Sequence, residues 1–197
     1  MALDDATLKS DLQSVFESQP DSAEDCATGM TDAIVAYLGG VEISYPPGPM
    51  LMPSSPSPIP DPTYGLDTKS VPVVPADSQW GAIYGGILGS INGSQSAGEN
   101  IWSPADAAYS AAIVAIGAAW STTDGYLSSG ATAPAGIVDF GASWQVGLDG
   151  GSEADVAADL ADRIHSNTTS ATYTGMAMKP PYVLMLPIIP PHSSALS

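Results

Sequence analysis

Proline is segregated in this chain, and no other feature limits its fold as strongly. Residues 46–75 hold ten of the 18 prolines and residues 180–191 hold five more. Proline lacks an N–H and fixes φ, so such stretches neither continue a helix nor sit in the middle of a sheet. They are stiff, extended and poor in internal hydrogen bonds, and become ordered mainly by lying on other surfaces. The rest of the sequence is a series of short, capped, amphipathic helical patterns. The expected fold is therefore mainly α: a helical hairpin plus two or three further short helices, with an extended proline-rich strap and an extended C-terminal arm. Residues 1–40 should form the hairpin, 41–76 the strap, 77–175 an alanine- and glycine-rich helical core, and 176–197 the arm.

The hairpin is legible residue by residue. Leu8, Leu12, Val15 and Phe16 fall on one face of a helix over residues 5–18, capped by Asp4 or Asp5. A capping-box pattern at Ser22–Asp25 opens the second helix, which carries Cys26, Met30, Ile34, Tyr37 and Leu38 on one stripe before Gly39 and Gly40 end it. The short link through Gln19, Pro20 and Asp21 makes the pair antiparallel.

Apolar residues recur between the prolines of both extended segments, which a purely solvated linker would not need. In the strap these include Met50, Leu51, Met52, Ile59, Tyr64 and Val73; in the arm they are Tyr182, Val183, Leu184, Leu186, Ile188 and Ile189. Both sets are candidate subunit-interface residues. The arm should form no helix and is not expected inside a sheet.

A third helix over residues 78–92 places Trp80, Ile83, Tyr84, Ile87, Leu88 and Ile91 on one stripe. On its other side Gly81, Gly85, Gly89 and Gly93 recur every fourth residue. Each glycine costs a helix about 1 kcal/mol relative to alanine. Four in register point to a second backbone packed against them, from this chain or a neighbouring subunit, or to a helix that is partly loop. Ser103, Pro104 and Asp106 start a fourth helix running to residue 121, with Tyr109, Ile113, Ile116 and Trp120 on its main face. A connection containing Val138, Phe140, Trp144 and Val146 leads to a last helix from Ser152. Val156, Leu160 and Ile164 face its core, and it is expected to fray through residues 166–172.

Charge narrows the function classes. Lys9, Lys69, Arg163 and Lys179 stand against 21 acidic residues, a net charge of −17. Polyanion binding needs clustered Lys or Arg, so specific nucleic-acid binding is disfavoured, and an anionic membrane for the same reason. An acidic surface suits high solubility, a wall past which DNA slides, or a salt-adapted source. Cys26 is the only cysteine, which excludes an internal disulfide and a cysteine-based zinc site. The opening MALDDATLKSDL has no basic region followed by an apolar run, so no secretory signal is expected. The apolar stretch near residues 105–120 is too short and too rich in alanine to span a bilayer.

No catalytic constellation is expected. His165 could join Asp162 and Asp159 as metal ligands, but no second D/E-x-x-H pattern supplies the other half of such a site, and a solvated acidic helix face is the plainer reading. The run Gly85–Gly89 lacks the Lys-Ser/Thr of a phosphate loop and no strand precedes it. There is no G-x-S-x-G elbow, and Cys26 lies on a core stripe. No cofactor is implied. Trp80, Trp102, Trp120 and Trp144 could line a carbohydrate platform, although core and interface packing explains them more simply.

The segments ATLKSDLQSVFESQPDSAEDCATGMTDAIVAYLGG and GGSEADVAADLADRIHSNTTSATYTG resemble small virion-associated structural proteins of tailed bacteriophages (Caudoviricetes). In these an N-terminal helical hairpin is followed by alanine-rich helices, a terminal helix and a proline-rich tail. The insertion at 46–75 departs from their compact pattern. The resemblance implies a non-enzymatic virion component of neck, tail, baseplate or capsid surface. Its partners would be other copies of itself and other virion structural proteins. The alternative is a module that binds a host surface or glycan.

Overall fold

Local side-chain caps start the helical hairpin. Asp4 accepts the Thr7 N–H at 3.1 Å and Ser22 accepts the Asp25 N–H at 3.0 Å, each satisfying a donor that the first helical turn leaves free. The structure, a computed structural model, describes residues 3–45, 51–52, 59–60, 69–72, 79–93, 101–120, 131–133, 136–175 and 192–195. They are mainly helical: α1 (Asp5–Glu17), α2 (Ala23–Leu38), α3 (Trp80–Ile91), α4 (Ser103–Trp120), α5 (Phe140–Leu148) and α6 (Glu153–Ser170). Of the candidate interface residues, Met50, Tyr64, Val73, Tyr182, Val183, Leu184, Leu186, Ile188 and Ile189 lie outside the described residues. Leu51, Met52 and Ile59 are described in backbone only.

The core follows the predicted stripes. Leu8 and Leu12 of α1, Met30, Ile34 and Leu38 of α2, Ile83 and Ile87 of α3, Tyr109 and Ile113 of α4, and Leu160 and Ile164 of α6 form one buried cluster. Ala27, Ala105, Ala112, Ala157 and Ala161 are buried among them, so the helices approach closely, as the alanine content suggests. A Cβ on Gly29 would stand 2.8 Å from a Val15 methyl, which makes this the crossing point of α1 and α2.

Three elements differ from the sequence reading. Residues 140–148, expected as connection, form α5. Its cap is Asp139, held at φ 64°, which accepts the Ala142 N–H at 3.1 Å. The end of α6 does not fray, and the helix holds to Ser170. Thr168 and Thr169 donate their hydroxyls back to the carbonyls of Ile164 and His165, at 2.7 and 2.8 Å, and Thr168 is buried against Tyr109. Tertiary contact thus overrides the weak helix propensity of threonine. On α3, which is a continuous helix, no atom of the described residues lies within 4 Å of a Cβ built on Gly81 or Gly85, and among those residues Gly89 meets Pro104 alone, at 3.9 Å. The close approach within the chain occurs instead at Gly86, where a Cβ would fall 2.5 Å from that of Ala108 and 2.7 Å from the Pro104 carbonyl.

Helix directions give the body two distinct ends. The start of α1 lies beside the end of α2, where Asp4, Leu8, Tyr37 and Gly40 line one hollow. The Tyr37 hydroxyl sits 2.9 Å from His165 Nδ1 near the end of α6. Among the described residues, two of the three sheets begin at this end. Glu42–Tyr45 (β1) leaves α2 and pairs antiparallel with Lys69–Pro72 (β4), bracketing the strap. Leu51–Met52 (β2) pairs with Ile59–Pro60 (β3). Thr172–Gly175 (β6) leaves α6 and lies between Ala131–Ala133 (β5) and His192–Ala195 (β7), with Gly175 opposite His192. Among the described residues β7 is thus an edge strand, and β1 is in contact with it. The opposite end holds the end of α1, the starts of α2, α4 and α6, and the end of α5.

Candidate assembly surfaces

At the end away from the strands, Phe16, Cys26, Trp144, Leu148 and Val156 line an open apolar groove of 380 Å³, with Pro20, Gly147, Gly151 and Glu153 at its margins. The sequence builds it in three steps. Phe16 is the last apolar residue of the α1 stripe, and the Gln19–Asp21 turn lets Cys26 follow it on α2. The Ser152 capping box fixes the start of α6, with the Asp155 N–H and the Ser152 N–H each bound by the other residue's side chain. Asp106 then fixes α5. Its Oδ1 accepts the N–H groups of Asp139 at 2.8 Å and Phe140 at 3.2 Å, so an acid on α4 caps the helix that carries Trp144.

Asp106 is only 4% exposed. Burial raises its carboxyl above the usual range, against the two backbone hydrogen bonds that favour the charged form. The sequence reading gave this acid to the start of α4; the structure uses it between helices.

Aromatic rings make the groove wall rigid. Trp102, 4% exposed, stacks on Phe140 with centroids 6.2 Å apart and meets Trp144 at 5.0 Å; Trp144 in turn meets Phe16 edge-on at 6.1 Å. Trp144 remains 38% exposed and Leu148 68% exposed. Trp80 belongs elsewhere, stacked on Tyr84 at 4.8 Å with its indole N–H donated to Asp32 at 2.6 Å. The described tryptophans therefore do not make one platform. The side chain of Trp120 lies outside the described residues.

Asp159, His165 and Cys26 are engaged in packing, while Asp162 is exposed. Asp159 accepts from Arg163 Nε at 2.6 Å and from the Ser143 hydroxyl at 2.8 Å, which ties α6 to α5. Burial works against its charged form, but these hydrogen bonds outweigh it and hold the carboxyl below its usual range. Arg163 also stands 4.0 Å from Asp139. His165 faces Tyr37, whose hydroxyl burial pushes well above the ordinary tyrosine range. Cys26 is half-buried, its sulfur 4.0 Å from that of Met30, and burial raises its thiol. Among the described residues no three His, Cys, Asp or Glu side chains stand close enough to hold a metal ion. Nor is any described helix long and apolar enough to cross a membrane.

Sequence reasoning missed the groove because α5 was missed. The available signal was Asp139, a capping residue three positions before Ala142, followed by Phe140 and Trp144 at helical spacing. No family model matches the chain, and no curated protein or solved structure is significantly similar to it.

Proposed function

We propose that the chain is a non-enzymatic structural component of a tailed-phage virion, present in multiple symmetric copies at the neck, tail or baseplate rather than on the capsid surface. The strap and the arm act as extended clasps on neighbouring copies and on other virion proteins. One observation carries this reading: a capped helical body holds Asp159, His165 and Cys26 in packing contacts, while both proline-rich segments are bracketed by strand pairs at the same end of that body. Each large apolar side chain of the arm that a neighbour fully buries contributes about 1.5–3 kcal/mol, offset by the entropy of ordering the chain. Proline lowers that entropy cost before contact, and symmetry repeats the gain in every copy.

Deleting residues 180–191 tests the proposal. The helical circular-dichroism signal should persist while the chain disappears from purified particles, as measured by mass spectrometry. Collapse of the signal would mean that the segment stabilises its own body, and wild-type chain missing from particles would refute the proposal. A host-surface or glycan-binding role is the second reading, favoured by the exposed face of Trp144. It predicts a change in tryptophan fluorescence on adding host polysaccharide, which the structural reading does not.

A further inference from the structure

Two helices of the body end in the same way. The residue that closes α3 is Asn92 (φ −82°, ψ −4°) and the one that closes α5 is Asp149 (φ −83°, ψ 5°), and each is followed by glycine. Both glycine N–H groups are donated to a carbonyl three residues earlier, Gly93 to Ser90 at 3.2 Å and Gly150 to Gly147 at 3.1 Å. They differ in what else holds them. Asp149 Oδ1 accepts from Gln145 Nε2 at 2.8 Å, and the Gly151 N–H is donated to the Val146 carbonyl at 2.9 Å, so the side chain and the following backbone are both pinned. Asn92 and Gly93 are exposed, and among the described residues none bonds the Asn92 amide. Packing explains the glycine: a Cβ on Gly93 would stand 3.1 Å from the Ser90 carbonyl oxygen and 3.3 Å from that of Gly89. Of the other asparagines, Asn100 precedes Ile101 and Asn167 precedes Thr168, whose branched side chains shield the next peptide nitrogen.

We infer that Asn92–Gly93 is a self-modification site: in the folded chain Asn92 converts to aspartate and isoaspartate through a succinimide, while the turn at Asp149–Gly150, alike in backbone, is locked. The chemistry needs water and the chain alone. The Gly93 nitrogen gives up its proton and bonds to Asn92 Cγ; the Cγ–Nδ2 bond breaks and ammonia leaves. Water then opens the ring at either carbonyl. Cleavage of the new Cγ–N bond leaves aspartate, and cleavage of the original peptide C–N bond leaves isoaspartate, whose chain runs through Cβ and Cγ. Ring closure requires Asn92 ψ to leave the helical region so that the Gly93 nitrogen faces Cγ. Among the described residues, the Gly93 bond to Ser90 opposes that rotation, and helix ends open at low free energy. Glycine accepts the new backbone angles without steric cost. The products act on the α3–α4 junction. Aspartate sets a negative charge at the negative end of the α3 dipole. Isoaspartate lengthens the backbone two residues after Ser90, whose Oγ accepts the Ala105 N–H at 3.1 Å and so joins α3 to the start of α4.

Peptide mapping of the full-length chain tests this. The protein is held in mildly alkaline buffer made with isotopically labelled water and sampled over time by mass spectrometry, with isoaspartyl methyltransferase labelling to separate the two products. The peptide that holds Asn92 should gain the mass difference between an amide and an acid, plus the oxygen label, in a first-order course that yields both products. Asn100 and Asn167 should remain amides over the same period. Asn92→Gln, which would have to close a larger ring, should abolish the gain and leave the helical circular-dichroism signal unchanged. Asp149→Asn supplies the same electrophile at the same cap angles, and that site should convert several-fold more slowly than Asn92 in the same molecule. In urea, where both caps are lost, the two sites should convert alike. An Asn92 amide that persists in the folded chain while the urea-unfolded chain converts would overturn the inference. So would equal rates at the two sites in the folded Asp149→Asn variant. Should that variant fail to fold, the wild-type course, folded against unfolded, decides alone.

Discussion

Two adjacent glycines on α3 should respond to the same substitution with opposite signs. At Gly85 an added methyl meets no atom of the described residues within 4 Å, so Gly85→Ala gains only helix propensity, about 1 kcal/mol. At Gly86 the same methyl would overlap the Ala108 methyl at 2.5 Å and the Pro104 carbonyl at 2.7 Å, with Ala105 Cα at 3.3 Å. Two of these obstacles are backbone at the start of α4, so relief requires α3 and α4 to separate. Overpacking of this kind costs about 1–3 kcal/mol, and two overlaps place it near the upper limit. After the same propensity gain, Gly86→Ala should be destabilising by about 2 kcal/mol. The two variants should then differ by about 3 kcal/mol, which for a domain of this size is roughly 6–12 °C in melting temperature. Urea and thermal unfolding followed by circular dichroism would measure both. Shifts of the same sign, or a Gly86→Ala variant as stable as wild type, would refute the assignment of the α3–α4 contact to Gly86. A Gly85→Ala variant that is stabilised yet no longer assembles would locate a neighbouring subunit on the open glycine face.

Other substitutions probe the buried polar links. Asp106→Ala strands the Asp139 and Phe140 N–H groups and should cost about 1–3 kcal/mol, whereas Asp106→Asn keeps an acceptor oxygen and should cost less. Because the Asp106 carboxyl is raised in the folded state, its contribution is most favourable at acid pH and is lost as pH rises through its folded value. The Asn variant should lose that trend in unfolding measured against pH. Asp159 has the opposite sign: its lowered carboxyl gives stability above the ordinary carboxylate range that is lost as pH falls through the folded value. Asp159→Asn should therefore be destabilised at neutral pH and match wild type in acid. Tyr109→Phe removes the 2.5 Å contact with Thr168 and should cost about 1 kcal/mol in urea unfolding.

Much of the body could be read from the sequence because its helices obey local rules. Leu8, Leu12, Met30, Ile34, Ile83, Ile87 and Leu160 repeat at helical spacing, and Asp4, Ser22 and Ser152 cap where expected. Failures came where a distant residue decides the local outcome. The short α5 contains Gly141 and Gly147 and has little propensity of its own; it depends on Asp106, 33 residues before Asp139, for its first hydrogen bonds. The last turn of α6 is sustained by Tyr109, 59 residues before Thr168. The glycine repeat was visible, but whether a neighbour occupies Gly81, Gly85 and Gly89 depends on which face of α3 meets α4, and the period of one helix cannot reveal that. The groove draws on α1, α2, α5 and α6 together, so no single pattern could announce it.

The packing of α1 against α6 has a consequence for how the protein is made. Among the described helices the earliest made finds its main partner in the latest, between residues 153 and 170. At ordinary synthesis rates that interval is on the order of ten seconds. Throughout it α1 lacks the helix that packs on it, and a chain that stops before residue 153 leaves that face of α1 bare. Completion of the core thus waits for α6, which keeps chains cut short before it from folding into competent subunits.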